Sequence, residues 1–172
     1  MYEVTKEIKW DMAHRLVKGY KGKCNSLHGH SWVARVTVGV DDERFQKQML
    51  GATTVAQEMY DPLDKYDMLI DFGDFKPLRK YIDTYWDHAT MLYTEDPLVV
   101  TLQAMEEQRL VVLEFNPTSE VIAYILHDAA KQYILEGNDH HLVVKEYVTK
   151  LVIARVEVEE TCTSKATYYG RR

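Results

Sequence analysis

The stretch "HSWVARVTVGV", residues 30–40, alternates side chains of two kinds along its length. Arg35 and Thr37 lie on one parity, and the other parity is a row made of His30, Trp32, Ala34, Val36, Val38 and Val40. This period of two is typical of a strand with one face against a core. The stretch therefore predicts a strand in a sheet that is covered on one side.

A second alternating segment precedes this strand along the chain. In "YEVTKEIKW", residues 2–10, Lys6 interrupts an apolar row made of Tyr2, Val4, Ile8 and Trp10. The sequence "GYKGKCN", residues 19–25, separates the two predicted strands and is turn-like. We therefore expect the two strands to form a long antiparallel hairpin.

The segment "DFGDFKPLRKYIDTYW", residues 71–86, predicts a first helix, because it has apolar side chains at helical spacing, namely Phe75, Leu78, Ile82 and Tyr85. Asp74 is the expected N-cap. That cap would keep Pro77 in the first turn, where its missing N–H is tolerated. Residues 95–117 are expected to form a long connection that ends in a short strand.

A second helix is predicted over "PTSEVIAYILHDAAKQYILEG", residues 117–137. Thr118 or Ser119 can cap its beginning, and Gly137 is expected to end it. Its predicted apolar stripe consists of Val121, Ile125, Ala129 and Tyr133.

The segment "KLVIARVEVEET", residues 150–161, predicts a further strand, and "KATYYG", residues 165–170, a last short one. Glu160 ends an apolar row made of Val152, Ala154, Val156 and Val158. A carboxylate with this inward parity needs hydrogen-bond donors, unless the strand end frays into solvent. The order of elements predicts one α+β domain, residues 1–172, with two helices packed on an antiparallel sheet.

The composition argues against some classes of protein. The formal net charge is -6, which argues against a nucleic-acid or membrane-surface partner, because such partners usually bind a basic face. The sequence has neither a signal-peptide pattern at its start nor an apolar run of membrane-spanning length. Its 2 cysteines do not make a disulfide framework. We expect a cytoplasmic protein with free thiols.

Three histidines lie within the predicted hairpin. His28 and His30 are two apart at the start of a strand, so both imidazoles point to one side. His14 ends the neighbouring strand and would lie beside them. Three histidines that leave a fourth position open are typical of catalytic zinc, although histidines in this region could also occur by chance or cap turns.

Cys24 precedes His28 by four residues and lies in a polar turn. It could be a fourth zinc ligand, which would make a closed structural site, or simply a small buried apolar residue. Lys21 and Lys23 beside it favour a thiolate. We therefore expect the thiol to lie beside the metal and to act as a base or nucleophile.

Asp87 and His88 follow the first predicted helix. A loop in this position often carries a general acid/base pair, although an ordinary pair at a helix end is the alternative reading. The remaining histidines, His127, His140 and His141, are expected to be ordinary surface or helix-face residues.

Six motifs make the chain resemble the 6-pyruvoyltetrahydropterin synthase / 6-carboxytetrahydropterin synthase family. They are "AHRL" with His14, "CNSLHGH" with Cys24, His28 and His30, "LIDFGDFK" with Asp71 and Phe72, "WDHATML" with Asp87 and His88, "NPTSEVIA" with Thr118 to Glu120, and "EETCTSKATY" with Glu160. They occur in family order over nearly the whole chain. The ordered set is far more specific than any one motif.

The resemblance implies a tunnelling fold, in which subunits pair their sheets into an oligomeric barrel, a tetramer or hexamer, with active sites at subunit interfaces. It implies zinc on His14, His28 and His30. It also implies roles for the other residues: Cys24 as the proton-abstracting base, Asp87 and His88 as a proton relay, and Glu160 as the anchor of a pterin ring bordered by Thr118 and Ser119.

The activity implied by the resemblance is that of a lyase acting on 7,8-dihydroneopterin triphosphate. The C-terminal "ETCTS", residues 160–164, favours the branch that forms 6-carboxy-5,6,7,8-tetrahydropterin, acetaldehyde and triphosphate for deazapurine (queuosine/preQ0) synthesis. One alternative is the pyruvoyl enzyme, which eliminates triphosphate only. Another is a non-catalytic zinc-containing pterin-binding protein, against which the combined presence of Cys24, Asp87, His88 and Glu160 argues.

Overall fold

The predicted hairpin is confirmed in the computed structural model of the chain, which describes residues 2–40, 68–105, 109–136, 142–144, 147–149 and 151–170. Strands β1 (Val4–His14) and β2 (His28–Val40) pair antiparallel along their whole length. Where β1 ends and β2 begins, His14 lies directly opposite His28. The apolar rows of both strands face the core, as their alternation predicts.

A six-stranded sheet is built around this hairpin. The other strands, in chain order, are β3 (Ala89–Tyr93), β4 (Leu110–Leu113), β5 (Leu142–Val144), β6 (Tyr147–Thr149), β7 (Leu151–Thr161) and β8 (Ser164–Tyr168). The order across the sheet is β4-β3-β1-β2-β7-β8, and β5 pairs with β6 in a separate two-stranded sheet. β7 and β8 are antiparallel to their neighbours as expected, whereas β3 and β4 pair in parallel. The sheet is therefore mixed.

The two predicted helices pack on one face of this sheet, as expected. The helices are α1 (Lys76–Tyr85), α2 (Leu98–Gln103) and α3 (Ser119–Ala130), and α3 continues into a π-helical turn, Lys131–Glu136. Leu78 and Ile82 of α1 share one core with Ile122 and Leu126 of α3 and with Trp32 of β2. The predicted end of the second helix at Gly137 lies outside the described residues.

Three tryptophans connect the sheet to the end of α1. Trp10 stacks on Trp32 with a centroid distance of 6.2 Å, and Trp86 packs at 5.9 Å from Trp10. Trp86 follows the last residue of α1 and is 2% exposed. The loop that begins at Trp86 is therefore anchored in the core, next to the strand that carries His14.

The prediction that Asp74 caps the first helix is wrong. The N-cap residue of α1 is Phe75, whose side chain makes no capping hydrogen bond; the carboxylate that caps in this region is Asp71, which accepts a hydrogen bond of 2.5 Å from the N–H of Gly73 in the preceding turn. Asp71 begins a 3-10 turn, Phe72–Phe75, that leads directly into α1. An Asp at either position suits the positive end of a helix, so the sequence alone does not distinguish them. Pro77 lies in the first turn of α1, as predicted.

The predicted apolar stripe of α3 is displaced around the helix. Of the predicted four residues only Ala129 is buried, whereas the buried apolar face consists of Ile122, Ala123, Leu126, Ala129, Ala130 and Ile134. A strict spacing of four residues drifts around a helix of 3.6 residues per turn, and the real face alternates spacings of three and four. Thr118 caps the helix, as expected, by accepting a hydrogen bond from the N–H of Val121.

The buried face of α3 also includes His127, which was expected to be an ordinary surface or helix-face residue. Its side chain is 2% exposed and its Nε2 lies 3.1 Å from the carbonyl oxygen of Ile153 in β7. Because a carbonyl oxygen only accepts, Nε2 carries the hydrogen. His140 and His141 lie outside the described residues.

The apolar row predicted for β7 is interrupted by a β-bulge. The register of β7 with β2 shifts between Thr37 and Val38, which pair with Arg155 and Ile153 respectively. One extra residue therefore exchanges the faces, so that Val152 and Ala154 are only half-buried while Leu151 and Ile153 are buried. Beyond the bulge the prediction holds, with Val156 and Val158 fully buried. The same parity carries Glu160 inward.

Two further findings concern the expected setting of the protein. None of the helices in the described parts of the chain is long and apolar enough to cross a membrane. Cys24 is half-buried, Cys162 is exposed, and both are free thiols.

Candidate active site

The β1–β2 hairpin brings its three histidines together. His14 lies opposite His28 in the hairpin, and His30 lies two residues further along β2 on the same face. The ring centroids are 4.6 Å apart for His14 and His28, 5.3 Å for His14 and His30, and 4.9 Å for His28 and His30. Glu160 enters the group from β7, and one potential ligand atom from each of the four residues lies within 4.8 Å of the others. The sequence prediction of a three-histidine group is matched by this geometry, and Glu160 is added to it.

Two of the histidines are oriented by backbone carbonyls. Nδ1 of His14 donates to the carbonyl oxygen of Pro117 at 2.7 Å, and Nδ1 of His28 donates to that of Ser26, also at 2.7 Å. A carbonyl oxygen only accepts, so Nδ1 carries the hydrogen in both rings and Nε2 keeps its lone pair. This arrangement is common around metal-binding histidines.

The unused nitrogens fit a divalent cation. Among the described residues, Nε2 of His14 and Nε2 of His30 are buried without a hydrogen-bond partner. Glu160 Oε1 lies 3.0 Å from the His30 nitrogen, but not in hydrogen-bonding geometry, and 3.7 Å from the His14 nitrogen. Burial lowers the pKa of His14, which favours the neutral ring that a metal requires. Orphaned buried nitrogens are rare, and a cation held by the imidazoles would satisfy them.

Glu160 connects the histidine group to a groove. Its second oxygen, Oε2, accepts a hydrogen bond of 3.1 Å from Ser119 Oγ at the beginning of α3. A cavity of about 330 Å³ opens here, lined by Ser119, Glu120, Glu160, Thr161, Ser164, Lys165 and Ala166. Glu160 therefore faces the histidines with one oxygen and the groove with the other. Thr118, the residue before Ser119, caps α3 and is not among the residues that line this groove.

Cys24 lies in the loop between β1 and β2, within a short 3-10 turn, Lys23–Asn25. It is half-buried and does not belong to the four-residue group among the described histidines, cysteines and carboxylates. Its backbone is fixed, because its carbonyl oxygen accepts a hydrogen bond of 2.8 Å from the N–H of Leu16. The thiol thus belongs to the same end of the hairpin as His14 and His28.

Tyr20 is a neighbour of Cys24 that sequence reasoning missed. A hydrogen bond with the Cys24 side chain is the main reason why the pKa of Tyr20 is raised. The phenol ring lies across Gly22, where an added Cβ would come within 2.2 Å of the Tyr20 hydroxyl oxygen. The glycine two residues after Tyr20 is consistent with this close contact, but glycine is so common in turns that its presence does not predict one.

Asp87 and His88 form a contact pair after α1. Nδ1 of His88 lies 3.0 Å from Asp87 Oδ2, while Asp87 Oδ1 accepts a hydrogen bond of 3.0 Å from the backbone N–H of Asp11. That backbone hydrogen bond, aided by His88, lowers the pKa of Asp87. His88 has a φ of 59°, an unusual value for a residue with a side chain, and its N–H donates to the Asp11 carbonyl at 2.7 Å.

The Asp87–His88 pair lies apart from the histidine group. His88 is 75% exposed and borders a groove of about 440 Å³ together with Asp11, Ala13 and Ser31. In β1 and β2 these three residues have the opposite parity to His14, His28 and His30, so their side chains lie on the other face of the sheet. Among the described residues, Asp87 and His88 do not belong to the group of three histidines and Glu160, but His30 of that group lines the same groove as His88.

Arg109 is a second residue that sequence reasoning missed. Its Nη1 donates to the carbonyl oxygens of Asp83 at 3.2 Å and Asp87 at 3.1 Å. It therefore ties the last turn of α1 to the loop that carries the Asp87–His88 pair. Its position just before β4 gave no signal of this role, because the contact depends on the unpredicted parallel pairing of β3 with β4.

Comparison with known proteins supports one family. The family model for 6-pyruvoyl tetrahydropterin synthase matches residues 3–171. Two curated relatives are named 6-carboxy-5,6,7,8-tetrahydropterin synthase. The relative from Rickettsia typhi is 28% identical over 87% of this chain and 96% of its own, and that from Aquifex aeolicus is 26% identical over 97% of each.

Solved structures agree on the fold. An uncharacterized protein from Wolinella succinogenes has a TM-score of 0.69 at 20% identity, with 99% of this chain and 98% of its own covered. The 6-pyruvoyl tetrahydropterin synthase of Caenorhabditis elegans has a TM-score of 0.55 at 21% identity, with the same coverage. The curated relatives are enzymes by name, and the family match spans nearly the whole chain. The chain therefore belongs to the 6-pyruvoyl tetrahydropterin synthase family.

Proposed function

We propose that this protein is a zinc-dependent 6-carboxy-5,6,7,8-tetrahydropterin synthase. It would convert 7,8-dihydroneopterin triphosphate and water to 6-carboxy-5,6,7,8-tetrahydropterin, acetaldehyde and triphosphate. The observation that carries the proposal is the group of His14, His28, His30 and Glu160, placed beside a groove at the beginning of α3. The names of the curated relatives support the same reaction.

His14, His28 and His30 would hold the zinc ion through their Nε2 atoms. The carbonyl contacts of two of these rings already present that nitrogen to a cation. When bound, zinc supplies a Lewis acid that polarises the hydroxyl groups of the substrate side chain. The trihistidine set leaves a fourth position for the substrate, in agreement with a catalytic rather than a structural site.

Glu160 would anchor the pterin ring. A pterin presents a ring N–H and an exocyclic amine side by side, and a carboxylate can accept both hydrogen bonds in one paired contact. Ser119 already donates to Glu160 and would hold it in place, while Thr118 caps the helix that Ser119 begins. The single domain of residues 1–172 would thus contain both the metal ligands and the pterin anchor.

Cys24 would act as the base that removes a proton from the substrate side chain. The half-buried thiol has Lys23 as its immediate neighbour in the turn and the Tyr20 hydroxyl within hydrogen-bonding contact. Such a group is reactive as a base yet lies beside the metal ligands.

Asp87 and His88 would relay protons in the same reaction. The lowered pKa of Asp87 keeps its carboxylate ionised, so that it orients the imidazole and stabilises its protonated form. Since this pair lies on the far face of the sheet, a second copy of the chain would have to supply it to each site. This arrangement supports a homo-oligomer with active sites at subunit interfaces.

A second candidate function comes from the same family. The family model and several of the solved structures are named for 6-pyruvoyl tetrahydropterin synthase, which would retain the full carbon skeleton of the substrate and eliminate triphosphate only. The residues proposed above would serve either reaction. Membership of a deazapurine (queuosine/preQ0) route and a cytoplasmic location remain predictions that depend on the carboxy-forming activity.

The test is to incubate the zinc-loaded protein with 7,8-dihydroneopterin triphosphate and to identify every product. We expect 6-carboxy-5,6,7,8-tetrahydropterin, acetaldehyde and triphosphate in equal amounts. Triphosphate with a pyruvoyl pterin and no acetaldehyde would establish the second candidate instead. Tight binding of the pterin without any product would leave only a non-catalytic pterin-binding protein.

A further inference from the structure

Asn116 binds the loop that carries Cys24, although it lies in a different part of the chain. Its Oδ1 accepts hydrogen bonds from the N–H groups of Val17 at 3.1 Å and Lys18 at 3.0 Å. Its Nδ2 donates to the carbonyl oxygen of Lys18 at 3.0 Å. Both ends of the amide are therefore used on the same short segment, as a neighbouring strand would use its own N–H and C=O groups.

The bonded segment is continuous with the turn that holds Cys24. The N–H of Leu16 donates to the carbonyl oxygen of Cys24 at 2.8 Å, and Nδ2 of Asn25 donates to the carbonyl oxygen of Leu16 at 3.1 Å. Residues 18–23 are exposed, so this loop is held by polar contacts and not by a core. Removing a group of such contacts should loosen it locally.

The residues that follow Asn116 hold two other parts of the site. The carbonyl oxygen of Pro117 orients His14, and the hydroxyl of Ser119 donates to Glu160. The N–H of Thr118 closes the turn on the carbonyl oxygen of Asn116 at 2.8 Å. One run of four residues thus contacts the Cys24 loop, a candidate metal ligand and the candidate pterin anchor.

We propose that Asn116 is a positioning residue that fixes the Cys24 loop relative to His14 and Glu160. The role of Cys24 in turnover rests on the proposed function, whereas the fixing of the loop does not. Asn116 touches neither the histidine group nor the groove, so its loss should leave binding of metal and pterin largely intact. It should instead misplace the thiol, which affects proton transfer.

The experiment compares Asn116→Ala with Asn116→Asp in a Cys162→Ser background, in which Cys24 is the only cysteine. Asn116→Ala removes all three hydrogen bonds, while Asn116→Asp keeps the two acceptor bonds and loses the donor. Thr5→Val is the matched control, because it removes a hydrogen bond of 2.9 Å to Thr37 at the far end of the hairpin. Alkylation of Cys24 by iodoacetamide, zinc content, kcat and KM are measured for each protein.

We expect Asn116→Ala to be alkylated at least about threefold faster, since a loosened loop exposes the half-buried thiol. Its kcat should fall by about 10- to 100-fold, with KM and zinc content close to those of the background. Asn116→Asp should change both rates in the same directions by less, and Thr5→Val should change neither. If Asn116 had only a structural role, Asn116→Ala would lower the thermal stability without raising the alkylation rate and lowering kcat.

An unchanged alkylation rate and an unchanged kcat in folded Asn116→Ala would overturn the inference. A loss of zinc as large as the loss of kcat would also overturn it, because the residue would then act through His14. If Asn116→Ala does not fold, Asn116→Asp decides the same question. If the background protein does not turn over the pterin triphosphate, the proposed function fails, and the alkylation rates still decide whether Asn116 fixes the loop.

Discussion

Nδ1 of His14 donates its hydrogen to the carbonyl oxygen of Pro117 across a sequence separation of 103 residues. This bond connects the hairpin that carries the histidines to the beginning of α3, where Ser119 contacts Glu160. It also directs the lone pair of His14 Nε2 toward His30 and Glu160. The candidate metal ligands and the groove are therefore adjacent parts of the structure.

The first prediction concerns metal binding. The purified protein should bind about one zinc ion per chain, with three Zn–N distances of about 2.0–2.1 Å. His14→Ala and His30→Ala should weaken zinc binding by more than the ~10- to 100-fold typical of losing an outer-shell contact. Metal analysis and X-ray absorption check this, with His88→Ala as the control that retains zinc. A bond between zinc and the Cys24 sulfur would make the site structural and contradict the catalytic reading.

The second prediction concerns Cys24→Ala. If the thiol is the base, kcat should fall by about 10²- to 10⁴-fold, the usual contribution of a general base. Zinc content and oligomeric state should be retained, because Cys24 lies outside the four-residue group. Steady-state kinetics with zinc analysis measures both. Cys162→Ser is the matched control, and near-normal turnover in Cys24→Ala would remove the thiol from the mechanism.

The third prediction concerns Glu160→Gln. This change keeps the side-chain volume but replaces an acceptor oxygen with a donor, so that an N–H would face an N–H of the pterin. The unpaired groups should weaken pterin binding by about 1–3 kcal/mol. Calorimetric titration of zinc-loaded protein with a pterin checks this.

The zinc content of Glu160→Gln shows whether Glu160 is the pterin anchor or a metal ligand. Retained zinc with weaker pterin binding supports the anchor. Lost zinc with unchanged pterin affinity would make Glu160 a metal ligand instead. Ser119→Ala should resemble a mild form of the same variant, because it removes the hydrogen bond to Oε2.

The fourth prediction tests whether two chains complete each site. Cys24→Ala and His88→Ala should each be nearly inactive alone. When the two variants are dissociated and reassembled together, roughly a quarter of the sites should combine an intact Cys24 with an intact His88, by random pairing of subunits. Activity assays before and after mixing measure this. No recovery in a mixed oligomer, verified by differently tagged chains, would place both residues in one subunit's site.

The fifth prediction concerns the pH dependence of stability. Burial lowers the pKa of His127, and the hydrogen bond to the backbone of Ile153 opposes this only in part; Lys131 lowers the pKa further and Asp128 raises it slightly. The unfolded chain therefore binds a proton near pH 6.5 that the folded chain resists, so the free energy of unfolding should fall as pH decreases below about 6.5 and level off below the folded pKa.

Urea unfolding of the zinc-loaded protein between pH 8 and pH 5 measures this dependence, since bound metal prevents titration of His14. His127→Gln keeps a donor for the Ile153 carbonyl oxygen and cannot titrate. It should therefore show a shallower fall in stability on acidification. Identical pH dependence in both proteins would assign the effect to other groups.

The strands were the part of the fold that periodicity predicted well. In β2, alternate residues from Trp32 to Val38 are buried. A strand with one face against the core has this period of two, so the alternation of apolar side chains alone is enough to predict it. The same alternation put His28 and His30 on one side, and pairing in a hairpin put His14 opposite His28. The three-histidine group was predictable because local geometry and a short turn are enough to assemble it.

Elements that depend on distant contacts were missed or misplaced. β3 is short and fully paired in the interior of the sheet, so its residues show no alternation, and its parallel pairing with Met12–His14 of β1 leaves no local signal. The bulge in β7 exchanges the faces of Val152 and Ile153 because β2 imposes the register. Asn116 binds backbone groups of Val17 and Lys18, and the Tyr20 hydroxyl contacts Cys24. These partners meet only in the folded loop, so the sequence pattern does not indicate them.

The sequence alone determined the α+β class, the hairpin, the three histidines on one face and the order of motifs that identifies the family. These features follow from side-chain alternation, helical spacing and residue identity along the chain. Only the tertiary structure decided that Glu160 lies between the histidines and the groove, that Pro117 orients His14, and that Asp87 and His88 lie on the opposite face. Such relationships arise from packing of segments far apart in sequence, and local propensity contains no information about which distant groups will meet.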